Sequence, residues 1–284
     1  LLNGMFPKEY EIITMQDDFP SSVVPWLHQG HRVHLVKSNA AGEIQVSDIE
    51  KEITPGTRIL VTSHVLFRTG FRQDLAAIGE LCKKHGLIHI VDATQSFGVN
   101  EIDVAAANID ILIFHAYKWV TAGYGIGGMY VSHKITEKYP PQQLGWYSVE
   151  YSGSDFNTVA DYTLFNPKRD ATVFEQGTPP FLNILLLGTA LEYLNTIGIR
   201  EIEIYIQQLI SYLHKKAAEN NIPVLTAYAT PHLSAIQRLD ITAGQYEKLV
   251  KKNIMARYKN DMLTIALNFY NNEADIDTLF AALK

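Results

Sequence analysis

Two rhythms of apolar residues run along this chain. Short unbroken runs at residues 87–91 (LIHIV) and 109–114 (IDILIF) have the length of strands buried on both faces of a parallel sheet. Runs at 10–15 (YEIITM) and 58–63 (RILVTS) predict two more. Between them lie stretches of helical spacing: 44–53, stopped by Pro55-Gly56, then 71–85, closed by Gly86, and a shorter one at 101–108. Pro20 ends the first strand, and Ser21 or Ser22 is placed to cap a helix from Val23. Residues 123–128 are glycine-rich and run straight into a strand at 129–132, which separates them from a dinucleotide loop.

The second half reads differently. Residues 142–170 are polar, rich in Tyr and Asn and without a sustained period, so a long loop is expected, of the kind that serves function or an interface. Long helices follow at 181–198 and 199–220. Short strands at 224–227, 234–239 and 263–267 then alternate with helices at 243–252 and 273–283. The pattern predicts an α/β fold. Residues 1–185 are expected to form a large domain, and residues 186–284 the linking helices and a small C-terminal α/β domain.

Composition narrows the partners. The 284 residues are 47% hydrophobic, enough for a large core. A net charge of −6 with no basic run argues against nucleic acid. No apolar stretch approaches the ~20 residues that cross a bilayer, so no membrane partner is expected. The single cysteine, Cys82, leaves no internal disulfide and suits a reducing, cytoplasmic setting. No secretory signal is read at the start, where residues 1–4 resemble a helix end. His28, His31 and His34 stand three apart, but Gly30 turns a helix end into a strand there and splays the rings. No carboxylate or cysteine completes a metal shell.

The chemistry sits on the two central runs. Asp92 follows the first and Lys118 the second, 26 positions later. Ligands of open α/β sheets bind beyond the carboxyl ends of the strands, so this acid and this amine are expected to face one cleft. Each has an ordinary alternative, Asp92 as a turn cap and Lys118 as a surface lysine. Together they describe a pyridoxal phosphate (PLP) site. A lysine in a cleft forms a Schiff base with a carbonyl, and an aspartate keeps the pyridine nitrogen protonated. Gln95 lies one turn past the acid, placed for the ring hydroxyl, while His115 and Tyr117 surround the amine.

The Asp92-x-x-Gln95 element, the Lys118-Trp119 pair at this separation and the glycine-rich strand after it resemble the class V aminotransferase family. These are fold type I PLP enzymes, among them kynureninases, cysteine desulfurases and isopenicillin N epimerase-like proteins. The resemblance implies a three-layer αβα large domain with a mostly parallel mixed sheet. It also implies a small α/β domain, an amino-acid-like substrate and a homodimer whose chains share cofactor ligands. By the same resemblance Phe19, before Pro20, covers the ring as in the kynureninase branch, unless it is an ordinary core aromatic. Tyr117 reaches the phosphate. His64, in Ser63-His64-Val65, lies beside the cofactor or else packs as a strand terminus. Phe67 stands where an asparagine often touches the ring hydroxyl, which leaves that contact to Gln95.

Gly145-Trp146 resembles a segment that reaches the neighbouring subunit's cofactor. Thr178, in Phe174-x-x-Gly177-Thr178-Pro179, resembles a threonine at a helix N-terminus that binds the partner chain's phosphate, or else a plain N-cap. Two departures matter. Leu263 and Thr264 stand where the family has an arginine that clamps the substrate carboxylate. Arg257 is the nearby fork, with Lys259 a poorer substitute, although Arg257 can also be read as a solvated charge. Nothing after Gly86 is cysteine, whereas a desulfurase needs a mobile thiolate on a C-terminal loop, which argues against persulfide chemistry. Family members also carry, before the position of Leu1, a Ser/Thr-bearing loop that cups the phosphate. The expectation is an aminotransferase-like enzyme, with a kynureninase-like or C–S lyase or an epimerase as alternative, and a non-catalytic relative as a third reading.

Overall fold

The computed structural model describes residues 2–151, 161 and 163–284. Six strands, β1 (Glu11–Met15), β2 (Val33–Val36), β3 (Thr57–Ser63), β4 (Ile88–Asp92), β5 (Ile111–His115) and β6 (Gly127–Val131), form one sheet in the order β2-β1-β3-β4-β5-β6. Its pairings are parallel except for β5 with β6. Side-chain alternation along β3 explains why its apolar run is continuous. Ile59 and Val61 enter a core with Trp26 of α1 (Pro20–His28) and Ile135 of α4 (His133–Lys138). Leu60 enters the opposite core with Ile49 of α2 (Val46–Lys51) and Ile78 of α3 (Leu75–His85). The sheet is therefore covered on both faces, and the three-layer αβα expectation holds.

Local chemistry moves some boundaries. α1 begins at Pro20 with Phe19 as its N-cap, and neither Ser21 nor Ser22 caps it. The Asp18 carboxylate takes the Phe19 N–H instead. α3 starts only after Asp74, whose side chain accepts from Ala77, and stops at Gly86 in the left-handed conformation (φ 65). Residues 101–108 are turns rather than a helix. The Asp103 carboxylate caps one turn by accepting from the N–H groups of Ala105 and Ala106, and Asn108, at positive φ (46), ends it. The loop expected over 142–170 contains an antiparallel pair, β7 (Val149–Tyr151) with β8 (Phe165–Pro167). Residues 152–160 and 162 of that stretch lie outside the described residues.

Helices α5 (Phe181–Ile197) and α6 (Ile199–Glu219) lead to a second, antiparallel sheet of β9 (Ile236–Asp240), β10 (Arg257–Lys259) and β11 (Met262–Ala266), ordered β10-β11-β9. Helices α7 (Ala243–Lys251) and α8 (Glu273–Leu283) accompany it. The strand expected at 224–227 is reduced to a single bridge, Val224 to Leu239. Ile206, Leu209 and Leu213 of α6 pack with Leu239, Leu263 and Phe280, and the same cluster takes in Trp119 and Val120. The segment carrying Lys118 is thereby pinned between the large sheet and the small one.

Candidate active site

The backbone at the ends of β4 and β5 is tied down before any side chain is considered. His64 N–H donates to the Asp92 carbonyl (2.9 Å) and Ala93 N–H to the Ile113 carbonyl (2.8 Å), which carries the ladder past the last strand residues. Asp92 is the final residue of β4, and its Oδ1 accepts the Thr94 N–H at 2.8 Å. No donor among the described residues takes its Oδ2. Three residues beyond β5, Lys118 sits in a turn closed by Thr121 N–H to the Lys118 carbonyl (3.2 Å) and Ala122 N–H to the Ala116 carbonyl (3.0 Å). Trp119 and Val120, both buried, anchor that turn from below. A Cβ on Gly127 would run into the Phe114 carbonyl, and one on Gly128 into the Phe114 ring. The glycine run thus lets β6 lie tight against β5, close to the lysine.

Asp92 and Lys118 line one cavity of about 690 Å³, together with Thr94, Gln95, His115 and Tyr117. Lys118 is partly buried, and its ammonium lies 5.6 Å from the Tyr117 ring centre. Burial pulls its pKa below the usual lysine range, while the Asp92 charge opposes that shift. Among the described residues the Lys118 amine has no ion pair. A second cavity of about 890 Å³ adjoins the first and shares Phe19, Phe67, Gln95 and Lys118 with it. Arg257, Thr264 and Asn268 line the second cavity and not the first. The lysine is therefore at the junction, with the aspartate on one side and the arginine on the other.

The other candidates divide. Phe19 stands on both cavity walls in edge-to-face contact with Phe67, ring centres 5.3 Å apart. Tyr117 stacks on Tyr124 at 4.9 Å. His64 departs from the cofactor-side expectation. It is buried and lines neither cavity, and desolvation reinforced by Arg72 pushes its pKa down to about 3. Thr178 is exposed and is no N-cap, because α5 starts at Phe181 with Pro180 in the cap position. Trp146 rests edge-to-face on Tyr147, and neither Trp146 nor Thr178 lines this chain's own cavities.

Arg257 offers the less obvious result. It pairs across the β10–β11 hairpin with Thr264, so its fork rises beside the strand position where an arginine was missed. Sequence reasoning overlooked β10 itself, although Asn260 and Asp261, both at positive φ (52 and 57), are the signature of a tight two-residue hairpin. It also passed over Asp18, a buried carboxylate bonded to Ser63 behind the cavity wall.

A family model described as aminotransferase class-V matches residues 1–279. The chain belongs to the class-V aminotransferase family. A probable cysteine desulfurase of Borreliella burgdorferi is 28% identical, over 98% of this chain and 70% of that protein. The uncharacterized aminotransferase YcbU of Bacillus subtilis is also 28% identical, over 95% of this chain and 70% of that protein. Among solved structures, the apo cysteine desulfurase of Thermococcus onnurineus superposes with a TM-score of 0.87 at 20% identity, covering 99% of this chain and 74% of that one. The cystine C–S lyase C-DES, in complex with its reaction product cysteine persulfide, gives 0.84 at 21% identity, over 98% and 76%. The fold is that of the fold type I PLP enzymes.

Class-V aminotransferases use PLP, and this chain is a PLP-dependent enzyme of that family, either transferase or lyase. The residues in the cleft fit the group. The Asp92 oxygen that no described donor takes suits a ring N–H, and Lys118 offers an amine that has no ion pair among the described residues. Aromatic side chains and glycines line the cavity, with hydroxyl and amide groups among them.

Proposed function

We propose that the cavity holding Asp92 and Lys118 is the cofactor site, and that the adjoining one receives an α-amino acid. The observation that carries this reading is the position of Lys118 on both walls, between Asp92 and Arg257. PLP, when bound, supplies a ring that draws off the electrons left when a bond to the substrate α-carbon breaks. Asp92 holds the proton on the pyridine nitrogen. Gln95 fixes the ring hydroxyl, Phe19 covers one face, and Tyr117 with His115 faces the phosphate. Lys118, desolvated and so less basic than a surface lysine, carries the cofactor and moves the α-proton. The Arg257 fork takes the substrate carboxylate. The same cavity is also lined by Ile254, Met255, Ile265 and Leu267, apolar surface that suits a substrate with an apolar side chain.

A homodimer completes this reading. Thr178 and Trp146 lie outside their own chain's cavities and would serve the neighbouring subunit's site. Phe181, Leu182 and Leu185 of α5 turn 65%, 70% and 69% of their surface outward, an apolar face for a second copy to cover. No single helix among the described residues is long and apolar enough to cross a membrane. The cytoplasm is the compartment proposed, on the basis of the single reduced cysteine.

Amino transfer is the reaction proposed. The names of the relatives favour C–S lysis as a second reading. Cys82 is buried in α3, lines neither cavity and has its thiol pushed up to about 12 by burial, so it cannot accept sulfur there. Lysis at this site would not hand its sulfur to Cys82. Protein loaded with PLP is expected to show a near-visible absorbance band that borohydride bleaches, and Lys118→Ala to lack it. A band that persists in Lys118→Ala removes the lysine assignment. Assays for keto acid, ammonia and sulfide across a panel of amino acids then separate transfer from lysis.

A further inference from the structure

Asp18 is 3% exposed and lies three residues past the end of β1. Its carboxylate accepts three hydrogen bonds: from the Phe19 N–H at 2.6 Å, the Ser63 hydroxyl at 2.5 Å and the Ser63 N–H at 2.8 Å. Both donor residues stand on the cavity wall, and Ser63 is the register partner of Asp92 across β3 and β4. The topology explains why a side chain is needed here. β1 pairs with β3 only as far as Leu60, whereas β3 continues to Ser63. The Asp18 carboxylate replaces the strand partner that β1 no longer supplies.

We propose that Asp18 is a positioning residue for the cofactor. Its carboxylate fixes Phe19 over the ring and sets Ser63 against Asp92. The inference rests on the reading of this cavity as the PLP site. Plugging a strand end does not require an ionisable group. Desolvation, with the Asp92 charge adding to it, raises the Asp18 carboxyl to about 6 against the opposing pull of its hydrogen bonds. A group that is costly to ionise in place, with every bond directed at a cavity-wall residue, acts on the cavity.

Asparagine cannot replace it. With its oxygen on Phe19 N–H and the Ser63 hydroxyl, its NH₂ would face the Ser63 N–H, donor against donor. Phe19 and Ser63 cannot then both keep their places.

The test uses PLP titration of the purified full chain, circular dichroism of the cofactor band at saturating PLP, and the thermal midpoint of the protein without cofactor. Asp18→Asn is expected to weaken PLP binding by about tenfold or more and to cut the dichroic band to less than half at saturation. Ser63→Ala, which loses one bond, is expected to move both in the same direction by less. A lower thermal midpoint with unchanged PLP affinity and an unchanged band would make Asp18 an ordinary fold residue and overturn the proposal. If Asp18→Asn fails to fold, Ser63→Ala decides: a weakened band supports the proposal and a wild-type band overturns it. Wild-type protein with no bleachable band would instead remove the underlying assignment of the cavity, and the inference with it.

Discussion

The Lys118 amine stands between two opposed influences, burial that favours its neutral form and the Asp92 charge that favours the cation, and burial wins. A lysine tuned this way releases its proton more readily than a surface one. Asp92→Ala is expected to lower turnover by about a hundredfold or more, because it removes the carboxylate proposed to face the ring nitrogen. Arg257→Ala is expected to raise KM for the amino acid about tenfold or more, with Arg257→Lys restoring only part of it, since an ammonium cannot make the paired bonds of a guanidinium. Steady-state kinetics with a saturated cofactor check both; an unchanged KM in Arg257→Ala returns Arg257 to a solvated charge. Asp92 and Lys118 were legible in the sequence because each ends an apolar run. Asp18 was not, because its partner Ser63 is 45 positions away and only the sheet brings them together.

Elements reveal what pattern reading can and cannot see. β4 and β5 stood out as apolar runs because they are covered on both faces. β10 carries no such signal. Its three residues are exposed or half-exposed, and it exists through pairing with β11. The helix expected at 101–108 stops after a single turn because Asn108 takes the left-handed conformation (φ 46). Trp119 matters at this scale, since it locks the lysine turn to α6 and the small domain. Trp119→Ala is expected to cost about 3–5 kcal/mol in urea denaturation and to weaken PLP binding alongside; a loss under about 1 kcal/mol would mean the turn is held by its backbone bonds alone. Gly127→Ala, forced against the Phe114 carbonyl, should cost about 1–3 kcal/mol by the same measurement.

At the scale of the whole molecule, buried titratable groups set the response to acid. Burial lowers His64 to about 3 and His89 to about 4, so both stay neutral in the fold while the unfolded chain protonates near 6.5. Their contribution is intact above that pH and is lost as pH falls toward 4. Asp18, raised to about 6, works the other way and favours the fold as pH drops from there toward its unfolded value near 3.8. Two histidines outweigh one carboxylate, so these three groups together should reduce stability as pH falls from 6 to 4, by roughly 1 kcal/mol per pH unit. Urea midpoints measured across that range are expected to fall; flat or rising midpoints contradict the burial of the two rings. The exposed face of α5 makes a dimer the expected species in sedimentation, and a monomer that binds PLP with full affinity would remove the shared-site arrangement. The most direct measurement is of where the cofactor attaches. Protein loaded with PLP, reduced with borohydride, digested and read by mass spectrometry should carry the pyridoxyl group on the peptide containing Lys118. The label on any other lysine, or on none, contradicts the account.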